Sequence, residues 1–201
     1  MNIRMKKRIL YILFPFATSL FAITVEDTNV AMFMEKNKGA FAITSNVAIS
    51  PQKPSSDKDI TYTKYLNASL LLPSGLQFSF GNTLEQDDRY SYLGLSYYLK
   101  NKSYTIGMNF KSHYETGYER KPKEIGALFS YKIKEQAFTP YIRYIIRQYS
   151  INQNLQLLTL GGFASITQLF ISFSYTIPTH SIPDIYNGKG EINLNFGVFL
   201  D

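Results

Sequence analysis

The chain has 201 residues, 45 % of them apolar, with 16 Tyr, 15 Phe and no Trp, a size that suits one domain better than two. It contains no cysteine, which excludes a disulfide framework, a thiolate-bound metal and a cysteine nucleophile. The formal net charge of +6 arises mostly from one short segment, which opens the chain.

Residues 1–22 have the composition of a secretory signal peptide. Four basic residues and no acid stand at its start: Arg4, Lys6, Lys7 and Arg8. An apolar run then reaches Phe21 and ends at the small Ala22, and Pro15 makes that run a poor spanning helix. We therefore predict an exported protein that is cleaved after Ala22. Removing the four basic residues lowers the net charge from +6 to +2, so a nucleic-acid partner is not expected.

Residues 23–39 separate the signal peptide from the first clear strand. Val30, Met32 and Met34 hint at another strand, and the following Lys36 to Gly39 predicts a turn. Counting this strand would give eleven in total, whereas bacterial barrels usually have an even number. We interpret residues 23–39 as an N-terminal lead segment that precedes the barrel and is either periplasmic or inserted into the lumen.

From residue 40 onward the dominant period is two, which is typical of strands with two chemically different faces. In the last segment, for example, Ile192 and Leu194 alternate with Asn193 and Asn195. The pattern predicts ten strands, at approximately 40–49, 60–72, 75–83, 88–99, 103–112, 123–133, 137–148, 154–163, 167–177 and 190–200. The predicted fold is all-β, an antiparallel up-and-down transmembrane β-barrel over residues 40–201, with eight or twelve strands as alternatives.

The connections between these strands alternate in length. Tight turns are predicted at Pro73-Ser74, Lys100 to Lys102, Lys134 to Gln136 and near Ser165. The remaining connections are longer and run over Ser50 to Asp59, Leu84 to Asp87, His113 to Pro122, Tyr149 to Gln153 and Pro178 to Lys189. Such alternation is typical of periplasmic turns and external loops, and it places both chain ends in the periplasm. Aromatic residues near the tight turns form a predicted interfacial girdle: Tyr97, Tyr104, Tyr131 and Phe138.

The polar face of the strands distinguishes a membrane barrel from a soluble one. A soluble barrel would turn its polar face to water and carry many charges there. Here that face holds mainly Gly, Ser, Thr, Asn, Gln and Tyr, and most charges lie in connections and strand ends. Five glycines occupy it: Gly81, Gly94, Gly107, Gly126 and Gly197. Glycine suits the crowded interior of a small barrel, so we predict that the apolar face meets lipid.

With these features the chain resembles the small outer-membrane β-barrel proteins of Gram-negative bacteria. The resemblance covers approximately residues 40–201 and includes the final strand from Ile192 to Leu200, which resembles the segment read by the barrel-assembly machinery. The chain departs from that pattern in ending on Asp201 instead of an aromatic residue. The resemblance implies insertion into the bacterial outer membrane, with outer-membrane lipid, lipopolysaccharide and the assembly machinery as partners.

Three classes of function are consistent with such a barrel. The first is a structural barrel or a narrow porin-like one, whose lumen is mostly filled by side chains and mildly cationic. The predicted luminal residues are Lys111, Glu124, Lys132, Tyr141, Arg143 and Arg147. Because small barrels tend to be packed, filling is favoured over conduction. An open lumen of this charge would favour anions.

The second class is adhesion or ligand binding through the external loops. Mixed aromatic and charged residues of the third and fifth loops carry this hypothesis: His113, Tyr114, Tyr118, Arg120, His180 and Tyr186. The third class, more remote, is an outer-membrane protease resembling the ten-stranded omptins, with Asp87 and Asp88 facing His180 and Asp184. No family motif surrounds these residues, so we predict a non-enzymatic protein. No metal or cofactor site is predicted, since two isolated histidines form no ligand cluster.

Overall fold

The computed structural model describes residues 39–51, 60–83, 90–115, 121–133, 138–180 and 190–200. The predicted signal peptide, the proposed strand around Met32 and almost all of the lead segment lie outside these ranges. No helix in the described ranges is long and apolar enough to cross a membrane.

Ten antiparallel strands make up the described structure. They are β1 (Ala40–Pro51), β2 (Ile60–Leu71), β3 (Leu76–Thr83), β4 (Tyr90–Lys100), β5 (Tyr104–Glu115), β6 (Lys123–Tyr131), β7 (Phe138–Ser150), β8 (Gln153–Ile166), β9 (Leu169–His180) and β10 (Glu191–Leu200). Each strand pairs with its neighbours in sequence, and β10 closes the sheet onto β1 from Phe41↔Leu200 to Ile49↔Ile192. The prediction of a ten-stranded up-and-down barrel is therefore confirmed.

Alternate residues of each strand form the inner and the outer surface of the barrel. In β6 the residues Glu124, Gly126 and Leu128 are buried, whereas Ile125 and Phe129 are exposed. The same rule holds around the barrel and leaves a broad belt of large apolar side chains on the outside. This belt includes Phe78, Phe80, Leu93, Leu95, Met108, Phe110, Ile142, Leu160, Ile171, Phe173 and Phe196. Closure removes all sheet edges, so the backbone groups are satisfied without water.

One end of the barrel holds both described chain ends and the connections β2–β3, β4–β5, β6–β7 and β8–β9. We call it the terminal end, and the opposite one the loop end. The predicted girdle residues lie toward the terminal end and face outward, with Tyr97, Tyr104, Tyr131 and Phe138 each 39–50 % exposed. At the β2–β3 turn, Gly75 has a φ of +90° and sits against the Tyr98 carbonyl, where a side chain would be strained.

One predicted loop is wrong. The connection predicted over Tyr149 to Gln153 is a two-residue turn, Ile151 and Asn152, because β7 continues to Ser150 and β8 begins at Gln153. The hydrogen-bonded register shifts between Gln148 and Ser150, and this irregularity lets the hairpin close tightly. The other four loop-end connections, 52–59, 84–89, 116–122 and 181–190, remain longer than this turn.

Candidate functional site

The inward face of the barrel has two halves of different chemistry. Toward the loop end, polar and charged side chains from β5, β6 and β7 meet around Glu124. Toward the terminal end, apolar side chains predominate, together with smaller buried polar ones such as Thr105, Ser130 and Thr139. Both halves arise from the same period of two, because residues at alternate positions of every strand point to the barrel axis.

Glu124 is the centre of the polar half, and its side chain is fully buried. Its Oε2 accepts hydrogen bonds from Arg147, from Nη2 at 2.9 Å and from Nε at 3.2 Å. Its Oε1 accepts one from Asn109 Nδ2 at 3.2 Å. The Nη2 of Arg143 lies 3.5 Å from Oε1. Burying a carboxylate is costly unless it accepts hydrogen bonds and lies beside a positive charge, and the two arginines meet this requirement for Glu124.

Two further side chains of β5 complete this group. Lys111 Nζ lies 3.6 Å from Glu124 Oε1, and His113 Nε2 lies 3.2 Å from Oε2. The strand register explains the convergence, since Lys111 is the Cα partner of Glu124 and Glu124 is the partner of Arg147. We call Asn109, Lys111, His113, Glu124, Arg143 and Arg147 the Glu124 cluster.

Tyr92 of β4 borders the Glu124 cluster. Lys111 Nζ lies 4.8 Å from the centroid of the Tyr92 ring, and the His113 ring centroid is 5.9 Å away from it. The Tyr92 hydroxyl donates a hydrogen bond to Asn67 Oδ1 at 3.2 Å. The ring therefore joins the charged side of the interior to the amide-rich side of β1, β2 and β10.

The terminal-end half of the interior is an apolar plug. It consists of Ala40, Ala42, Leu71, Tyr98, Leu128, Tyr141, Phe163, Phe170 and Phe199, all buried. Phe170 and Phe199 stack with ring centroids 4.6 Å apart. The Phe170 ring covers Gly197, and the Tyr98 ring covers Gly107. These two glycines leave room for the rings, as expected of glycines that face a crowded barrel interior.

Five of the six predicted luminal residues point into the barrel. Lys111, Glu124, Arg143 and Arg147 meet in the Glu124 cluster, while Tyr141 belongs to the apolar plug. Lys132, which was predicted to be luminal, does not point into the barrel. It lies beyond the end of β6, where its side chain is exposed, and its backbone N–H donates a hydrogen bond to the Ser103 carbonyl.

The predicted loop residues fall in different places. His113 is not in a loop: β5 extends to Glu115, and alternation turns His113 inward onto Glu124. Tyr114, next to it, faces outward and is 42 % exposed. His180 is the exposed last residue of β9. The other loop candidates, Tyr118, Arg120 and Tyr186, and the omptin-like Asp87, Asp88 and Asp184 lie outside the described residues.

Glu191 is a buried charged residue that the sequence interpretation did not name. Its side chain is fully buried at the start of β10, on the same face as Asn193 and Asn195. The sequence contained the signal for its inward direction, because Glu191, Asn193 and Asn195 occupy alternate positions of the same strand. Leaving His113 aside, the buried charged side chains of the described residues are thus three cations and two carboxylates.

Comparisons with known proteins find similarity among solved structures, at low sequence identity. No family model and no curated protein matches the sequence. Among solved structures, Omp33 of Acinetobacter baumannii has a TM-score of 0.42 and 8 % identity, covering 83 % of this chain and 100 % of that one. An outer membrane channel from Pseudomonas putida F1 has a TM-score of 0.47 and 8 % identity, with coverages of 91 % and 98 %.

A third similar structure is a loop L8 deletion mutant of OmpT, an outer membrane protein of Vibrio cholerae. Its TM-score is 0.37 at 10 % identity, covering 79 % of this chain and 62 % of that one. At identities of 8–10 % and TM-scores of 0.37–0.47, these similarities carry no conclusion about this chain. The closed meander of ten strands, with its apolar outside and its buried, largely polar inside, is that of a small outer-membrane β-barrel protein.

Proposed function

We propose that the protein is a structural, non-enzymatic component of the outer membrane whose lumen is closed by its own side chains. The observation that carries this proposal is the burial of the inward side chains in both halves of the barrel. In the polar half, Lys111 and Glu124 have no exposed surface, and Arg143 and Arg147 are 2 % exposed. In the apolar plug no member exceeds 6 %.

A conducting lumen would give a different pattern. Side chains that line a water-filled channel are exposed to the water inside it, as the polar interiors of porins are. Here Lys111, Arg143 and Arg147 all contact the buried Glu124, and aromatic rings lie in the terminal-end section. Two successive closed layers are a stronger barrier than one. For this reason the closed structural barrel is favoured over the narrow porin-like one.

The proposed partners follow from this placement. The outward apolar belt would be covered by outer-membrane lipid. During biogenesis β10, with Phe196 and Leu200 facing outward, would be read by the barrel-assembly machinery before it pairs with β1.

The proposal is tested by ionic conductance. Purified protein is refolded into liposomes, its folded state is checked in the same vesicles by heat-modifiable gel migration, and the vesicles are fused with a planar bilayer. We expect no stable current steps from the wild type. Reproducible, ion-selective steps from folded wild-type protein would contradict the closed lumen.

A variant that opens both layers provides the matched control. Phe170→Ala removes a ring from the plug, and Arg147→Ala removes a guanidinium from the Glu124 cluster. We expect the double variant, but neither single variant, to show current, because each single change leaves the other layer in place. Current from Arg147→Ala alone would show that the plug does not seal the barrel.

A further inference from the structure

Two exposed lysines lie on the outer surface of the barrel at the loop end. Lys123 begins β6 and faces away from the lumen, because it alternates with the buried Glu124. Lys121 is also exposed, and its Nζ lies 5.7 Å from the centroid of the outward-facing Tyr114 ring. Both ammonium groups are therefore on the face that meets the membrane, and not in the lumen.

The strand register gives the height of these lysines relative to the apolar belt. Lys123 is in register with Ser112 of β5 and Gln148 of β7. The next outward row toward the terminal end is Phe110, Ile125 and Ile146, all apolar. The outer face thus changes from apolar to polar within two residues on three neighbouring strands. Such a boundary corresponds to the level of lipid headgroups.

The chemistry of this patch suits an anion. Lys121 and Lys123 supply two positive charges, and the exposed Ser112 and Gln148 side chains supply neutral donors beside them. Among the outward-facing side chains that the structure describes on β5, β6 and β7, none carries a carboxylate, and Glu124 points into the barrel. The Lys121 ammonium group lies within cation–π distance of the Tyr114 ring, which places it on the same outward face as the patch.

We propose that Ser112, Tyr114, Lys121, Lys123 and Gln148 form a binding site for the lipid A phosphate of lipopolysaccharide. The occupant follows from position and charge. The loop end, opposite the chain ends and most short connections, is the external end of an outer-membrane barrel, and lipopolysaccharide presents phosphates at that headgroup level. The proposal depends on the proposed outer-membrane placement but not on a closed lumen, so the conductance test can fail without affecting it.

The terminal end offers a matched control. Lys102 and Lys132 are likewise two exposed lysines, close in sequence to the outward-facing Tyr104 and Tyr131, but they lie at the terminal end of the barrel. Replacing this pair by glutamine removes the same charge as Lys121→Gln with Lys123→Gln. Neither pair contributes to the buried interior, so both double variants are expected to fold.

The experiment measures binding of defined lipids to the detergent-solubilised full barrel by native mass spectrometry. The probes are bisphosphorylated lipid A, its dephosphorylated form, phosphatidylglycerol and inorganic phosphate. We expect the wild type to bind bisphosphorylated lipid A, and Lys121→Gln with Lys123→Gln to weaken this about 30-fold. That factor corresponds to about 1 kcal/mol for each lysine near a charged headgroup. The control pair is expected to change binding less than threefold, on the order of 0.5 kcal/mol.

Any one of four results would overturn the proposal. The first three are equal loss in the two double variants, equal binding of dephosphorylated and bisphosphorylated lipid A, and equal binding of phosphatidylglycerol and lipid A. Binding of inorganic phosphate as tight as lipid A would also overturn it, since a free anion and not the lipid would be the ligand. Lys121→Arg with Lys123→Arg should retain lipid A binding. If the glutamine variant fails to fold, the salt dependence of wild-type binding replaces it, and salt-insensitive binding would contradict a phosphate site.

Discussion

The two halves of the interior close the same lumen by different physical means. The Glu124 cluster consists of charged groups whose burial is tolerable only while they remain paired, with Arg147 at 2.9 Å as the closest partner. The apolar plug consists of rings and aliphatic groups that need only to fill space, such as Phe170 against Phe199. The first half therefore depends on each member, whereas the second depends on total volume.

The largest expected effect is the loss of the central carboxylate. Glu124→Leu leaves Lys111, Arg143 and Arg147 buried without their shared counter-charge. We expect it to lower the free energy of unfolding by about 3–5 kcal/mol. Urea unfolding of the folded barrel in detergent, followed by heat-modifiable migration, measures this. A loss below 1 kcal/mol would show that the cations are adequately paired without Glu124.

The next effect concerns the plug. Phe170→Ala removes a ring that stacks on Phe199 and covers Gly197, and we expect a loss of about 3 kcal/mol from lost burial and the remaining cavity. The matched control is Phe173→Ala on the same strand, where the ring is 48 % exposed on the outside. Its loss should be smaller, because lipid or detergent chains can occupy the space. Equal losses in the same urea assay would remove the distinction between a plug and a lipid-facing surface.

A double variant separates the two halves directly. Combining Glu124→Leu with Arg147→Met removes the carboxylate and its closest cation together. We expect this combination to recover about 1–3 kcal/mol relative to the sum of the single losses, because fewer uncompensated charges remain. In the plug, Phe170→Ala with Phe199→Ala should be less stable than either single variant. Failure of the charged pair to recover stability would mean that its members do not act through their mutual contact.

The smallest effect is expected at the border of the two chemistries. Tyr92→Phe keeps the ring beside Lys111 but removes the hydroxyl that donates to Asn67 Oδ1. We expect a loss of about 1 kcal/mol, which is typical of one buried neutral hydrogen bond. Tyr97→Phe, on the exposed outer face, is the control and should change the unfolding free energy by a few tenths of a kcal/mol at most. Similar losses at both positions would show that the Asn67 contact contributes nothing.

The sequence by itself determined the architecture of the barrel. Alternation over residues 40–200 predicted ten strands and the outward direction of side chains such as Phe110 and Ile125, and the structure has both. The prediction succeeded because successive side chains of a strand point to opposite faces, a property that each segment has by itself. Once the apolar face is assigned to the lipid, the direction of every side chain in the strand is fixed. The luminal direction of Lys111, Glu124, Arg143 and Arg147 follows from the same parity.

Only the tertiary structure decided how these residues meet. β5 extends to Glu115, so that His113 lies in the strand beside Glu124 and not in a loop. β6 ends at Tyr131, so that Lys132 lies beyond the strand and does not point inward. The register then brought Lys111, Glu124 and Arg147 into one row. Register and strand ends depend on hydrogen bonds between segments distant in sequence, which no single segment encodes. The division into a charged half and an apolar plug is therefore a property of the closed sheet.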